Sequence, residues 1–454
     1  MRLHRLLVMR PARTSAVRPA RMPVVHPDRT SAVRPARMPV VRTGLMSVVR
    51  PHRTRVVRPH RVLTAAVTAA LLAAVACGCS DSGGSSSAAG FDPPDLKARS
   101  ALGKGEGEVN LIAWAGYVED GSNDPKTDWV SDFEKRTGCQ VNAKTAASSD
   151  EMVKLMKTGR YDAVSASGDA SLRLIASGDA APVNTDLVPN YQNVFAGLKN
   201  QAWNSVDGVA YGIPHGRGAN LLMYNTEVVE PAPTSWSAVF DDAATYRGKV
   251  TAYDSPIYIA DAALYLKATR PELKIEDPYA LDRKQFDAAV DLLKRQNANI
   301  GEYWSDYLKE ISAFKSGDSV IGTTWQVITN LTRAEGGPVE AVVPEEGSTG
   351  WSDTWMLSAE AEHPNCAYRW LDWIVSPEVN AQVAEYFGEA PANAKACDET
   401  GDPTWCDTYH AADESYWKRI AFWNTPIEQC LDGRTDVRCV PYAEWVRAWT
   451  EIKG

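Results

Sequence analysis

From residue 108 onward, short apolar runs alternate with longer segments whose apolar residues recur every three or four positions. The first rhythm marks strands and the second marks amphipathic helices. Residues 109–113 (VNLIA) read as a strand ending at Trp114. Residues 129–136 read as a helix, with Trp129 and Phe133 one turn apart and Gly138 placed to cap it. A strand is expected at 139–143, a helix capped near Ser148 and running to Thr158, a strand at 161–165, and a helix opening near Ala170. Further strands are expected at 220–225, 248–253, 319–324 and 340–343. Helices are expected at 235–240, 286–293, 307–314, 367–374 and 377–387. This alternation predicts an α/β sheet with helices on both faces.

In open α/β sheets, ligands lie beyond the carboxyl ends of the strands. The residues at those ends are Trp114, Ser165 and Ser167, Asp254 and Trp325. Indole faces attract ammonium groups, and carboxylates pair with them through charge-assisted hydrogen bonds. The set therefore suits a small organic cation with apolar sections, and Trp351 adds a third indole. Packing into the core is the competing role for each of these tryptophans.

With 454 residues, 44% hydrophobic and 23% charged, the chain has the composition of a soluble globular protein. It is not a mostly disordered, collagen-like or multi-span membrane sequence, and its length allows two or three domains. The net charge of −9 conceals a split. Residues 1–79 hold 15 Arg, no Lys and one acid, Asp28, for a charge of +14, so the remainder carries −23. An acidic body lacks the cations that nucleic-acid binding requires and attracts small cations. Acidity also serves solubility alone.

The segment 13–25 (RTSAVRPARMPVV) recurs unchanged at 29–41. It is rich in Arg and Pro and has no apolar face, so residues 1–45 are not expected to fold, and the true start is expected nearer Met46. A basic arm with a partner is the other reading. Residues 50–61 form a basic region, followed by an uncharged run at 62–76. Those 15 residues are fewer than the roughly 20 needed to cross a bilayer, and they read as an export signal. Small residues precede Cys77 and Cys79, as in a bacterial lipobox, and SDSGGSSSAAG follows as a flexible tether. Acylation of Cys77, or of Cys79, is expected. A secretory signal with incidental thiols is the alternative.

Six further cysteines, Cys139, Cys366, Cys397, Cys406, Cys430 and Cys439, suggest disulfides in an exported chain. Six thiols allow 15 pairings, which sequence does not choose among. Cys397/Cys406 and Cys430/Cys439 would close short loops, leaving Cys139 and Cys366 to pair over a long span. A zinc site is the rival, disfavoured because no C-x-x-C is present.

Several segments resemble the spermidine/putrescine-binding proteins of ABC importers. Residues 111–117 (LIAWAGY) are similar to that family's strand followed by N-W-x-x-Y, and 161–167 (YDAVSAS) to its Y-D-x-x-x-P-S. Thr234-Ser235-Trp236, 246–250 (YRGKV) and 344–353 (PEEGSTGWSD) resemble its T-S-W, Y-K-G and P-x-E-G…W-x-D elements. The resemblance covers roughly residues 108–395. It implies a two-lobed periplasmic-binding-protein fold of type II with two crossover strands. Lobe 1 would be 108–216 plus 354–398, and lobe 2 would be 217–353 plus 399–454. It further implies that Trp114, Trp325 and Trp351 enclose a methylene chain, that Tyr117 and Ser167 hydrogen-bond the ligand, and that Asp353 and Asp254 hold ammonium groups. The family's Glu three residues after the second-lobe Asp is Ile257 here. Two family tyrosines are replaced by Asp169 and Glu389, either of which restores a carboxylate. Expected partners are a small organic amine, a permease and an ATPase, with the membrane reached through the lipid anchor. A monomer, no cofactor and no metal are expected.

Another cationic or opine-like solute is a second reading. An exported hydrolase is a third, with His215 as the candidate base, but no G-x-S-x-G elbow accompanies it. A structural or interaction protein of the envelope is a fourth.

Overall fold

The computed structural model describes residues 93–454. The repeat leader, the export signal, Cys77, Cys79 and residues 80–92 of the tether lie outside the described residues. No described helix is long and apolar enough to cross a membrane.

The first half of the sheet holds β1 (Glu108–Ala113), β2 (Gln140–Thr145), β3 (Ala163–Ala166) and the short β4 (Ala180–Ala181). Helices α1 (Val130–Thr137), α2 (Ser149–Met156) and α3 (Gly168–Ala176) connect them. Local chemistry sets these bounds. Gly138 closes α1 in the left-handed region at φ 72°, where a side chain would be strained. Ser148 accepts the Glu151 amide at 3.2 Å and caps α2. Alternation along β1 sends Val109, Leu111 and Ala113 into a core with Phe133 and Trp370, and Ile112 into a second core with Met152 and Ile175. Both faces of this half are therefore covered, as expected for parallel strands.

After a small hairpin, β5 (Ser205–Val206) and β6 (Val209–Ala210), comes the 13-residue β7 (Ile213–Asn225). The second half contains β8 (Val250–Tyr253), α4 (Ile259–Thr269), α5 (Arg283–Asn297), β9 (Ile300–Trp304), α6 (Tyr307–Ser316), β10 (Ile321–Trp325), α7 (Gln326–Ala334) and β11 (Val339–Val342). The long β12 (Ser348–Ser358) then returns to the first half, followed by α8 (Pro364–Ile374), α9 (Pro377–Phe387) and β13 (Ala390–Pro391). Two single-turn helices, α10 (Trp405–Thr408) and α11 (Glu414–Trp417), precede β14 (Ile420–Phe422) and α12 (Tyr442–Lys453). The helix expected at 235–240 is only a 3₁₀ turn, Trp236–Ala238. Its buried indole donates to Gly347 O at 2.8 Å and anchors it there.

The strand order is β2-β1-β3-β12-β7-β10-β8-β9. β1 pairs in parallel with β2 and β3, and β8 with β9 and β10. β7 and β12 run antiparallel at the centre and carry the chain from one half to the other. The core of the second half gathers Trp236, Phe240, Tyr258, Phe286 and Trp445.

Six cysteines form three disulfides, Cys139–Cys366, Cys397–Cys406 and Cys430–Cys439. These are the pairings expected from the two short loops, and they leave none of the six thiols free for zinc.

Candidate functional site

The register of β12 against β7 shifts between Asp353 and Thr354. Such a bulge re-aims a side chain, and here the side chain is the buried Asp353. Its partner across the ladder is Gly216. A Cβ on Gly216 would lie 2.2 Å from Glu389 Cδ, so only glycine leaves room for that carboxyl. Glu389 itself follows Gly388, which ends α9 at φ 90°.

Ser167, just beyond β3, donates to Asp353 Oδ1 at 2.5 Å, and Tyr117 Oη donates to Asp353 Oδ2 at 2.7 Å. Glu389 Oε2 is 3.0 Å from the same phenol oxygen. A phenol has one proton to give, so it satisfies one carboxylate, and the second is best accommodated by donating its own proton back. Electrostatics agree. Burial, then the neighbouring Asp353, push the Glu389 carboxyl well above the usual range. Burial raises Asp353 to about 6, against the lowering effect of Ser167 and Tyr117. Asp169, in the first turn of α3, is also raised to about 6 by burial, although Ser149 donates to it at 2.8 Å. Each carboxyl is costly to ionise without a partner, so a positive charge placed among the three would be favoured.

Aromatic rings continue from this cluster. Tyr117 lies 4.5 Å from Phe387, Phe387 5.8 Å from Trp351, Trp351 5.9 Å from Trp325, and Trp325 5.7 Å from Tyr253, centroid to centroid. Trp423 stacks on Tyr253 at 5.5 Å. The indole nitrogens of Trp351 and Trp423 are buried without a hydrogen-bond partner. Trp325 donates to Asn220 Oδ1 at 3.0 Å. A chain of π-faces next to acids is apolar in section and negative at its end, which matches an alkylammonium.

The structure thus brings together Tyr117, Ser167, Trp325, Trp351, Asp353 and Glu389, with Asp169 near enough to raise the Asp353 carboxyl. Two expected residues stand apart from these contacts. Trp114 packs among the cores of the first half, its amide bonded to Ser165 Oγ at 3.2 Å. Asp254 bonds the Trp449 indole at 3.1 Å and Lys453 Nζ at 2.6 Å. Sequence reasoning missed Tyr253, Phe387, Trp423 and Lys453. Tyr253 was the one with a signal, since it closes a strand beside Asp254. His215, read as a candidate base, is fully buried and packs 4.3 Å from the Tyr117 ring. Its Nδ1 is 3.3 Å from Glu389 Oε1, but neither ring nitrogen makes a hydrogen bond. Burial lowers it to about 3, so it stays neutral and adds no cation to the cluster.

Residues 128–412 match the family model described as bacterial extracellular solute-binding protein. The chain belongs to that family. This solute-binding protein is similar to the spermidine/putrescine-binding periplasmic protein of Escherichia coli K12, at 25% identity over 287 residues, which covers 62% of this chain and 77% of the relative. Among solved structures it is similar to a putative spermidine/putrescine ABC transporter protein from Listeria monocytogenes, with TM-score 0.62 and 18% identity over 76% of this chain and 99% of that one. It is also similar to a binding protein from A. tumefaciens B6 in complex with glucopine, with TM-score 0.59 and 17% identity over 76% and 100% of the two chains. These likenesses establish the two-lobed periplasmic-binding-protein fold of type II, with β7 and β12 as its long crossover strands.

Within this solute-binding protein, the tail links the two halves. β14 pairs with β12, and Thr425 Oγ1 lies 3.1 and 2.9 Å from the carbonyl oxygens of Gly168 and Asp169, with one proton to share between them. Trp423 reaches Tyr253 through this link. The site therefore draws on the loop after β1, the start of α3, both crossover strands, the ends of β8 and β10, and the tail.

Proposed function

We propose that this chain is the lipid-anchored, extracellular receptor of an ABC importer. It would capture a small organic amine, a polyamine such as putrescine or spermidine, in the cleft between its lobes. The observation that carries the reading is the buried set Asp169, Asp353 and Glu389, with no Lys or Arg bonded to it among the described residues and lying beside a run of aromatic rings. Arg173 only partly offsets burial at Asp169, and Asp353 and Glu389 have no Lys or Arg bonded to them among the described residues, so the set calls for a cation. The names of the E. coli relative and the Listeria neighbour support the amine class and the importer partners.

Lobe 1 would comprise 108–216 plus 354–398, and lobe 2 would comprise 217–353 plus 399–454. The ligand would favour the closed arrangement because its contacts come from both lobes. Asp353 and Glu389 would hold an ammonium, Tyr117 and Ser167 would orient Asp353, and Trp325 and Trp351 would line the methylene chain. The closed receptor would then dock on a permease driven by an ATPase. Cys77 or Cys79 would carry the lipid. A binding rather than catalytic role fits His215, which reaches no hydroxyl.

An opine-like zwitterion is the second reading, favoured by one observation. Buried Arg217 shares a small cavity with Trp325 and Trp351, and its Nε has no partner. Thermal-shift measurements with amines, ω-amino acids and opines test both readings, with neutral esters and glycosides as controls. The amine reading expects stabilisation by amines above all. Stabilisation by the neutral controls alone would overturn it.

A further inference from the structure

Four acids were singled out from the sequence as candidate ligand groups: Asp169, Asp254, Asp353 and Glu389. Among the described residues, only Asp254 has a lysine or arginine bonded to it. Lys453, in the last turn of α12, places Nζ 2.6 Å from Asp254 Oδ1. The pair is partly shielded, with side-chain exposures of 34% and 27%. Trp449, one turn earlier on α12, donates to the same oxygen at 3.1 Å. The Lys453 ammonium also lies 5.7 Å from the Tyr303 ring. An amine, an indole donor and an aromatic face around one carboxylate reproduce, within the chain, the surroundings described for a captured ammonium.

Asp254 also belongs electrostatically to the site. Tyr253, one residue before it, terminates the aromatic run at Trp325 and Trp423. Its phenol is raised by burial and then by Asp169, Asp353 and Asp254 together. Asp169, Asp353 and Asp254 thus all act on this one phenol, and of the three only Asp254 has a resident cation bonded to it among the described residues.

We propose that Lys453 is a resident counter-charge: it occupies Asp254 and so leaves recognition of charge to the buried acids Asp169, Asp353 and Glu389. This rests on the amine-binding reading above. An ammonium aimed at Asp254 then meets a carboxylate that is already paired, so the additional amine of a longer ligand gains nothing there. Lys453 is a positioning residue acting through Asp254, not a ligand contact.

Calorimetric titration of the full chain, its Lys453→Met and Lys453→Arg variants and the Lys453→Met/Asp254→Asn double variant, each with putrescine and spermidine, tests this. Wild type should bind the two amines with affinities within about threefold of one another, since Asp254 is already paired with Lys453. Lys453→Met should bind spermidine about tenfold tighter with putrescine unchanged, because a freed carboxylate gains a partner. Lys453→Arg should behave as wild type, and the double variant should lose the gain. Lys453→Gln replaces Lys453→Met if the latter unfolds. Equal shifts for both amines, or none, would overturn the counter-charge while leaving amine binding intact. If wild type binds neither amine, the functional reading fails first and the counter-charge with it.

Discussion

The Tyr117 phenol donates to Asp353 at 2.7 Å across 236 positions of sequence. That bond ties the loop after β1 to the bulge of β12, and Glu389 stands 3.0 Å from the same oxygen. Under the amine-binding proposal, Asp353 is the group on which charge recognition would turn.

Asp353→Asn keeps the shape and an acceptor for one of the two hydroxyls, Ser167 or Tyr117, while the other faces an amide N–H, and it removes the charge. Amine affinity is expected to fall by about a hundredfold or more, the usual cost of deleting one side of a buried charge pair. The melting temperature should hold or rise, because burial already disfavours the ionised form. Calorimetry alongside a thermal melt checks both.

The pH dependence has a definite sign. Asp169 and Asp353 move from an ordinary 3.8 to about 6 on folding. Between those values the native state binds more protons than the unfolded one, so their contribution to stability falls as pH rises from about 4 to about 6 and then levels. Amine binding, which favours the ionised acids, should strengthen over the same window and release protons near pH 6. Urea unfolding of wild type and Asp353→Asn across pH 4–8 isolates the first effect. Titration in buffers of different ionisation heat reads the second.

Much of the first half was legible because its signals are local. The caps at Gly138 and Ser148, the alternation in β1, and the strand ends at Trp114 and Trp325 need no distant partner to be seen. Periodicity did not mark β12 as a strand, and only the family resemblance implied a second crossover at 353/354. All its residues are buried, so its polar and apolar positions never alternate against solvent. Glu389 was visible only as a departure from a familiar pattern. The roles of Trp423 and Lys453 depend on how the tail folds back, which periodicity does not encode. Asp254 was legible as an acid at a strand end, but its lysine, 199 positions away, was not.

Gly216→Ala places a methyl where the Glu389 carboxyl sits. A loss of about 1–3 kcal/mol is expected from overpacking, together with weaker amine binding as Glu389 is displaced. Denaturant titration and calorimetry on the same preparation give both values.

Trp351→Ala removes the ring between Phe387 and Trp325. Deleting a buried tryptophan costs about 3–5 kcal/mol of stability. Trp351→Phe should retain most of the fold yet weaken binding of longer amines more than that of methylamine, because the chain loses a wall. Thermal melts and competition titrations separate the two effects.

The central claim is that ionic recognition by buried acids, with aromatic walls, defines the ligand. Calorimetric titration of the wild-type chain with putrescine and with 1,4-butanediol, its neutral isostere, tests this most directly. The account predicts saturable binding of putrescine and none of the diol. Equal binding of the two would contradict it.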